Sequence, residues 1–459
     1  MTVRAISIGA FCFGLTVLAA SPAMAQTIDR RPLTLEQAVQ EALEGNLQLR
    51  IERARMESAR AAGRSATSSL LPRIDLQSGW TRSDDPVAVF GTKLRQGSFT
   101  QSDFDLNTLN RPDPLTDWST AVSASWTLLN PTGWAGSSEA GSRAEAATWS
   151  LQRSREAARL ATETLYLDIV RAEARVHAAT QTEIAAQATA DLFARREAQG
   201  LLTRAESLQA ESDRAGATAL RIDAERLNVD AAERLTLFLG WPPNRLPLPL
   251  DTLLSPSDFA PRATAEPQQS SEAVPMIRRA DIRARQAELE ASRASHRRAN
   301  AAWFPAIVAS GRYGIHSTDA FGSSGENWSV AVAVRWNLFS GGGRLAESAR
   351  TRADLRIAET LYEQALNEAL VELKSAGRAV DAAAQMAEAA IAARIAAESG
   401  TSLMRRRFEE GLTTASDLLS AESRLARTAQ TEVDALASHQ LAIARLRFVT
   451  THEHPEDSL

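Results

Sequence analysis

Trp328-Ser329-Val330-Ala331-Val332-Ala333-Val334-Arg335-Trp336-Asn337-Leu338 alternates without a break. Trp328, Val330, Val332, Val334, Trp336 and Leu338 fall on one side, and serine, alanine, arginine and asparagine on the other, which is the period of a β-strand. An apolar face bracketed by tryptophan and backed by small or polar residues fits a strand with lipid on one side and water on the other, its aromatic rings lying at the interfaces. A soluble hairpin resting one face on a core would alternate in the same way. Such a core needs bulky side chains, and this chain is only 5% aromatic, with alanine dominating long stretches.

Three more segments share the pattern, and the four strands are expected near residues 72–82, 117–130, 304–316 and 327–340. Ile74, Leu76 and Trp80, then Val122, Ala124, Trp126 and Leu128, alternate with polar neighbours. Trp80, Trp118, Trp126, Trp328 and Trp336 are the candidate membrane girdle. Because bacterial barrels start at about eight strands and an open sheet edge cannot sit in lipid, four strands require assembly. Two copies make eight strands with a filled interior; three make twelve with an open lumen.

The same order of signals occurs twice. Leu71-Pro72 is answered by Phe304-Pro305, Ser125-Trp126-Thr127-Leu128 by Arg335-Trp336-Asn337-Leu338, and Ala210-Glu211-Ser212 by Ala421-Glu422-Ser423. Residues 137–199 and 344–410 contain no proline, 63 and 67 residues that as helices span roughly 95 to 100 Å. In the second, Leu366, Leu370, Leu373, Gly377, Val380, Ala384, Ala387 and Ile391 step by fours and threes, a heptad seam for coiled-coil packing. Each long helix runs into a turn, at 200–203 and 411–414. The expected organisation is a first repeat over 26–240, a linker over 241–276, a second repeat over 277–450 and a tail over 451–459. Near the start, Thr34 with Gln37 forms a capping box.

Residues 1–25 read as a secretory signal: Arg4, an apolar run from Ala5 to Ala20, and the small-residue site Ala23-Met24-Ala25. The only cysteine, Cys12, lies inside it, so neither disulfide nor thiol chemistry is expected of the mature chain. The formal charge is -5 and the arginines are dispersed, which argues against nucleic acid as a partner. No nucleophile elbow, Walker loop or dinucleotide fingerprint occurs, so no catalytic residue and no cofactor is assigned. His452 and His454, beside Glu453 and Glu456, read as a solvated tail rather than a metal site.

With Leu33-Thr34-Leu35-Glu36-Gln37-Ala38, the two proline-led hairpins and the paired Gly-Leu turns followed by Ala-Glu-Ser, the whole mature chain resembles the outer-membrane efflux proteins of the TolC family. The stretch from Asp85 to Leu94, continuing to Asn110, resembles an extended outer loop of some members. The resemblance implies a fold that is mostly α with transmembrane β: a homotrimer with a twelve-stranded barrel in the lipid of the outer membrane, continuous with a periplasmic coiled-coil tunnel closed at its tip. It implies as partners a periplasmic membrane-fusion adaptor and an inner-membrane efflux pump or ABC secretion transporter. The adaptor-facing tips carry over to Gly200, Leu201, Gly411 and Leu412, and the constricting aspartate of the periplasmic gate to Asp417. Ser420 stands where some members have a second aspartate, Phe408 replaces a latching tyrosine and Thr413 an arginine. Glu206 with Arg204 or Arg407 is the expected substitute latch. The alternative reading is a periplasmic coiled-coil adaptor.

Overall fold

The computed structural model describes residues 29–253, 278–320, 322 and 324–451. The expected signal segment, residues 254–276 of the expected linker and the expected tail from residue 452, His452 and His454 included, lie outside these residues. In chain order the elements are β1 (Asp29–Leu33), α1 (Leu35–Gly45), α2 (Leu47–Ser68), β2 (Arg73–Ser83), α3 (Pro86–Arg95), α4 (Leu106–Asn110), β3 (Leu115–Leu129), α5 (Pro131–Ala198), α6 (Arg204–Leu239), β4 (Arg245–Pro249), α7 (Ala280–Ala301), β5 (Ala306–Ser317), β6 (Gly325–Arg335), α8 (Gly343–Glu409) and α9 (Ala415–Thr450). The fold is mostly helical. Among the described residues no helix is long and apolar enough to cross a membrane.

α5 and α8 have 68 and 67 residues, each about 100 Å of helix. α5 starts six residues before the proline-free stretch, because Pro131 occupies its first turn, where a missing N–H costs nothing, and the Asn130 side chain accepts from the Gly133 N–H at 2.9 Å. α6 pairs with α5, and α9 with α8. The buried positions of α8 include Ala369, Ala376, Ala387 and Ala390, a heptad series of small residues. It runs one position away from part of the expected seam: Gly377 faces open space.

A smaller body at mid-height joins the chain's distant parts. β1 and β4 pair in parallel, with Leu33 opposite Pro249, so part of the expected linker is a strand. Fully buried Tyr166 of α5 lies under them. Its hydroxyl donates to the Asp251 carboxylate at 2.7 Å and lies 2.9 Å from the Leu33 carbonyl. The Thr34 and Gln37 capping box forms as expected. The Asn46 side chain then caps α2 and donates to the Phe238 carbonyl at 2.9 Å. Gly45 is needed here, since a Cβ would stand 2.6 Å from the Leu239 carbonyl oxygen.

The remaining four strands form one antiparallel sheet in the order β2-β3-β5-β6. Register places Leu76, Val122, Tyr313 and Trp328 in one row and Val332, Ala309 and Trp126 in another, all on one face. Ser123, Arg312 and Ser329 share a row of the opposite face. β6 ends at Arg335, five residues short of the expected boundary. Its next partner would be Pro305, which has no N–H to give to the ladder. Among the described residues nothing covers the apolar face: Leu76, Trp328 and Val332 are 72%, 76% and 67% exposed. Among the described residues no strand pairs with the outer edge of β2 or of β6.

Candidate functional site

Two places in this fold present unusual chemistry: the uncovered sheet and, one helix length away, the two turns that end the long helices. The turns are built alike. In the first, Gly200 takes φ 71°, its N–H donates to the Glu197 carbonyl at 2.8 Å, and the Leu201 N–H donates to the Arg196 carbonyl at 2.9 Å. In the second, Gly411 takes φ 76°, donating to Phe408 at 3.0 Å, while Leu412 donates to Arg407 at 2.8 Å. Both are the glycine stop in which the last carbonyls of a helix are satisfied by a left-handed residue and its successor. Leu201 and Leu412 are left 68% and 67% exposed, apolar side chains at the extremity of the molecule.

After each turn a threonine begins the returning helix. Thr203 and Glu206 form a capping box, and so do Thr414 and Asp417. The Thr203 hydroxyl donates to Glu206 at 2.7 Å, and the Thr414 hydroxyl to Asp417 at 2.6 Å, with Thr413 adding a further bond at 3.0 Å. The expected pairing of Glu206 with Arg204 or Arg407 is not formed among the described residues. Arg204 instead bonds Glu197 at 3.3 Å. An acid three residues into a helix meets its own N-cap first, because that partner costs no extra ordering of a long side chain.

The Thr414 hydroxyl, then its backbone N–H and the Thr413 hydroxyl, hold the Asp417 carboxyl below the usual aspartate range. The cap's contribution is therefore complete above the ordinary value near 3.8 and is lost as pH falls through the lower folded value. Asp417 stays ionised through the whole neutral and mildly acidic range. Asp417→Asn keeps an oxygen for the cap and removes the charge, whereas Asp417→Ala removes both. If Asp417 lines a pore, both variants lower cation selectivity in single-channel recordings. Unchanged selectivity in both would leave Asp417 as a helix cap alone.

Phe408 is 3% exposed and sits in a cluster with Phe193, Ala210, Ala415 and Leu418. Its ring stacks on Phe193 with centroids 5.0 Å apart. The Arg196 guanidinium lies over Phe408 at 4.7 Å and donates to the carbonyls of Phe408 at 2.8 Å and Glu409 at 2.7 Å. Glu422 of α9 accepts from Thr189 of α5 and Arg405 of α8, both at 2.7 Å. A tyrosine hydroxyl is thus dispensable for joining the two hairpins within one chain. Phe193 and Arg196 had no place in the sequence reading. The available signal was that Phe193 is the one aromatic residue near the end of α5, as Phe408 is near the end of α8.

On the sheet, Trp80 and Trp118 are direct partners with ring centroids 6.4 Å apart, and Trp328 pairs with Tyr313. At the helical end, the indole N–H of Trp126 donates to the Leu70 carbonyl at 2.8 Å and that of Trp336 to Trp303 at 3.1 Å. Trp336 therefore lies just past β6, tied to the junction rather than to the ladder. Trp118 to Trp126 and Trp328 to Trp336 are each eight residues, about 26 Å of extended chain, which at the usual barrel tilt of about 40° rises about 20 Å, most of the roughly 25 Å apolar band of an outer-membrane barrel. Among the described residues no group of three or more His, Cys, Asp or Glu side chains converges as a metal site would.

A family model described as outer membrane efflux protein matches residues 38–241 and 276–452. The chain belongs to that family. A stretch of 167 residues is 30% identical to protein CyaE of Bordetella pertussis, covering 36% of this chain but only about a third, 34%, of that protein. Solved structures resemble this family member over nearly its whole length. A membrane protein from Pseudomonas aeruginosa matches with a TM-score of 0.75 at 22% identity, over 91% of this chain and 93% of that one. The Campylobacter jejuni CmeC outer membrane channel matches with 0.77 at 16% identity, over 92% and 88%. VceC of Vibrio cholerae, an outer membrane protein, matches with 0.76 at 19% identity, over 91% and 95%. The fold of this family member is that of the outer-membrane channels, with the sheet and the long helices in one chain; family and neighbours are channels rather than enzymes.

Proposed function

We propose that the chain is one protomer of a homotrimeric outer-membrane channel with a periplasmic helical tunnel, passively conducting solutes or proteins handed over by an inner-membrane efflux pump or ABC secretion transporter through a periplasmic adaptor. The observation that carries this reading is the four-stranded sheet with one uncovered apolar face, two tryptophan belts and two open edges. Lipid covers the face, and the edges close when β2 of one copy pairs with β6 of the next, three copies making twelve strands. The two hairpins then serve as two structural repeats whose tips, Gly200-Leu201 and Gly411-Leu412, meet the adaptor. Asp417 of three copies lines the constriction, where like charges favour cations. A periplasmic adaptor, the competing reading, has no use for an apolar sheet bordered by tryptophan.

Topology tests this in cells. Residues between β2 and β3 stand at the end of the sheet away from the long helices, and Asp113 is exposed there. An epitope tag inserted at Asp113 is expected to bind antibody on intact cells. Binding only after the outer membrane is permeabilised would place this loop in the periplasm and remove the orientation.

A further inference from the structure

The polar face of the sheet holds charges that the fold does not neutralise. Of its carboxylates, Asp75 is paired with Arg73 at 2.9 Å, while Asp117 lies 2.9 Å from the ring nitrogen of His316 and accepts from the Gln96 amide at 3.0 Å, so one negative charge stands against the two arginines described next. Arg312 of β5 and Arg335 of β6 lie on the same face, both exposed, and among the described residues no ion pair or hydrogen bond engages either side chain. Arg335 faces Ala306 and Arg312 faces Ser329, six residues along β5, so the two positions are about 20 Å apart along the strands. Glu326 and Arg82 belong by register to the opposite face.

We propose that Arg312 and Arg335 make the barrel lumen an anion-attracting vestibule, selecting for solutes that carry several carboxylates or phosphates. The inference rests on the trimeric barrel proposed above, in which the two positions become two rings of three. Twelve strands at the usual spacing and tilt enclose a backbone cylinder about 24 Å across. The Debye length is about 10 Å at 0.1 M salt and 3 Å at 1 M, so the rings' field reaches the axis in dilute salt and is screened in concentrated salt. Asp417 lies beyond the 67 residues of α8, about 100 Å away, and the two ends act independently. The channel then offers a cationic stretch inside the barrel and an acidic constriction at the far tip.

The probe is tripolyphosphate, added from the barrel side to single trimers in planar bilayers. In 0.1 M KCl it is expected to block current, and the block to fade in 1 M KCl. The double variant Arg312→Ser with Arg335→Ser is expected to raise the half-blocking concentration about tenfold or more, since both rings of charge that attract the polyanion are lost. The double lysine variant keeps the charges and is expected to keep the block, which separates loss of charge from damage to the barrel. Pores that open normally in the wild type but show no block, or block that survives the serine changes, overturn the vestibule while leaving the trimeric barrel standing. Failure of the wild type to form trimers or pores overturns both.

Discussion

Val332→Arg is expected to remove the protein from the outer membrane, while Ala331→Arg, one residue away, leaves it there. Val332 is 67% exposed on the apolar face, opposite Ala309 and midway between Trp328 and Trp336. A guanidinium at that depth costs about 2 to 4 kcal/mol in each chain of a barrel, and a trimer would carry three. Ala331 faces Ser310 on the polar side, where an arginine meets water. Outer-membrane fractionation with heat-modifiable mobility reads the difference. Equal recovery of both variants would mean that this face does not meet lipid.

The tip yields the second large effect. Truncating a buried phenylalanine costs about 3 to 5 kcal/mol through lost burial and the cavity left behind. At Phe408 this falls on the stack with Phe193 and on the shelf for Arg196, which hold the end of α5 to the end of α8. Phe408→Ala is therefore expected to loosen the tip, raising single-channel conductance and hydrogen exchange around residues 193–198 and 405–418. Barrel and trimer should persist, since the sheet is a helix length distant. Unchanged conductance and exchange would mean that other contacts, Glu422 with Thr189 and Arg405 among them, close the tip without the ring pair.

Most of the sheet was legible because period two depends only on local order: Trp328 to Val334 announce their face whatever lies beside them. The turns were legible for a different reason, since Gly200-Leu201 and Gly411-Leu412 recur in one order with Ala210-Glu211-Ser212 and Ala421-Glu422-Ser423 behind them. What escaped depends on partners distant in sequence. β4 pairs with β1 across 216 positions, from Asp29 to Arg245, and no local pattern marks a five-residue strand with two prolines. The stack of Phe193 on Phe408 joins different hairpins. Within one chain Glu206 meets Thr203 rather than an arginine, because its place in the first helical turn puts the capping threonine nearest, and a local charge pattern does not show that. The end of β6 was overextended because alternation continues to Leu338, while the ladder stops where Pro305 would have to donate.

Closure of the sheet edges between copies is the centre of the account, and cysteine crosslinking measures it most directly. The sequence contains one cysteine, Cys12, inside the segment expected to be cleaved, so introduced pairs report without background. Gln77 of β2 is paired in turn with Ser329, Ala331 and Ala333 of β6, and cells are oxidised before outer membranes are isolated. The expected result is that one pair yields a reducible covalent trimer as its largest product. Protein that reaches the outer membrane but remains monomeric with every pair, or that closes as a dimer or tetramer, would contradict the three-chain, twelve-stranded barrel.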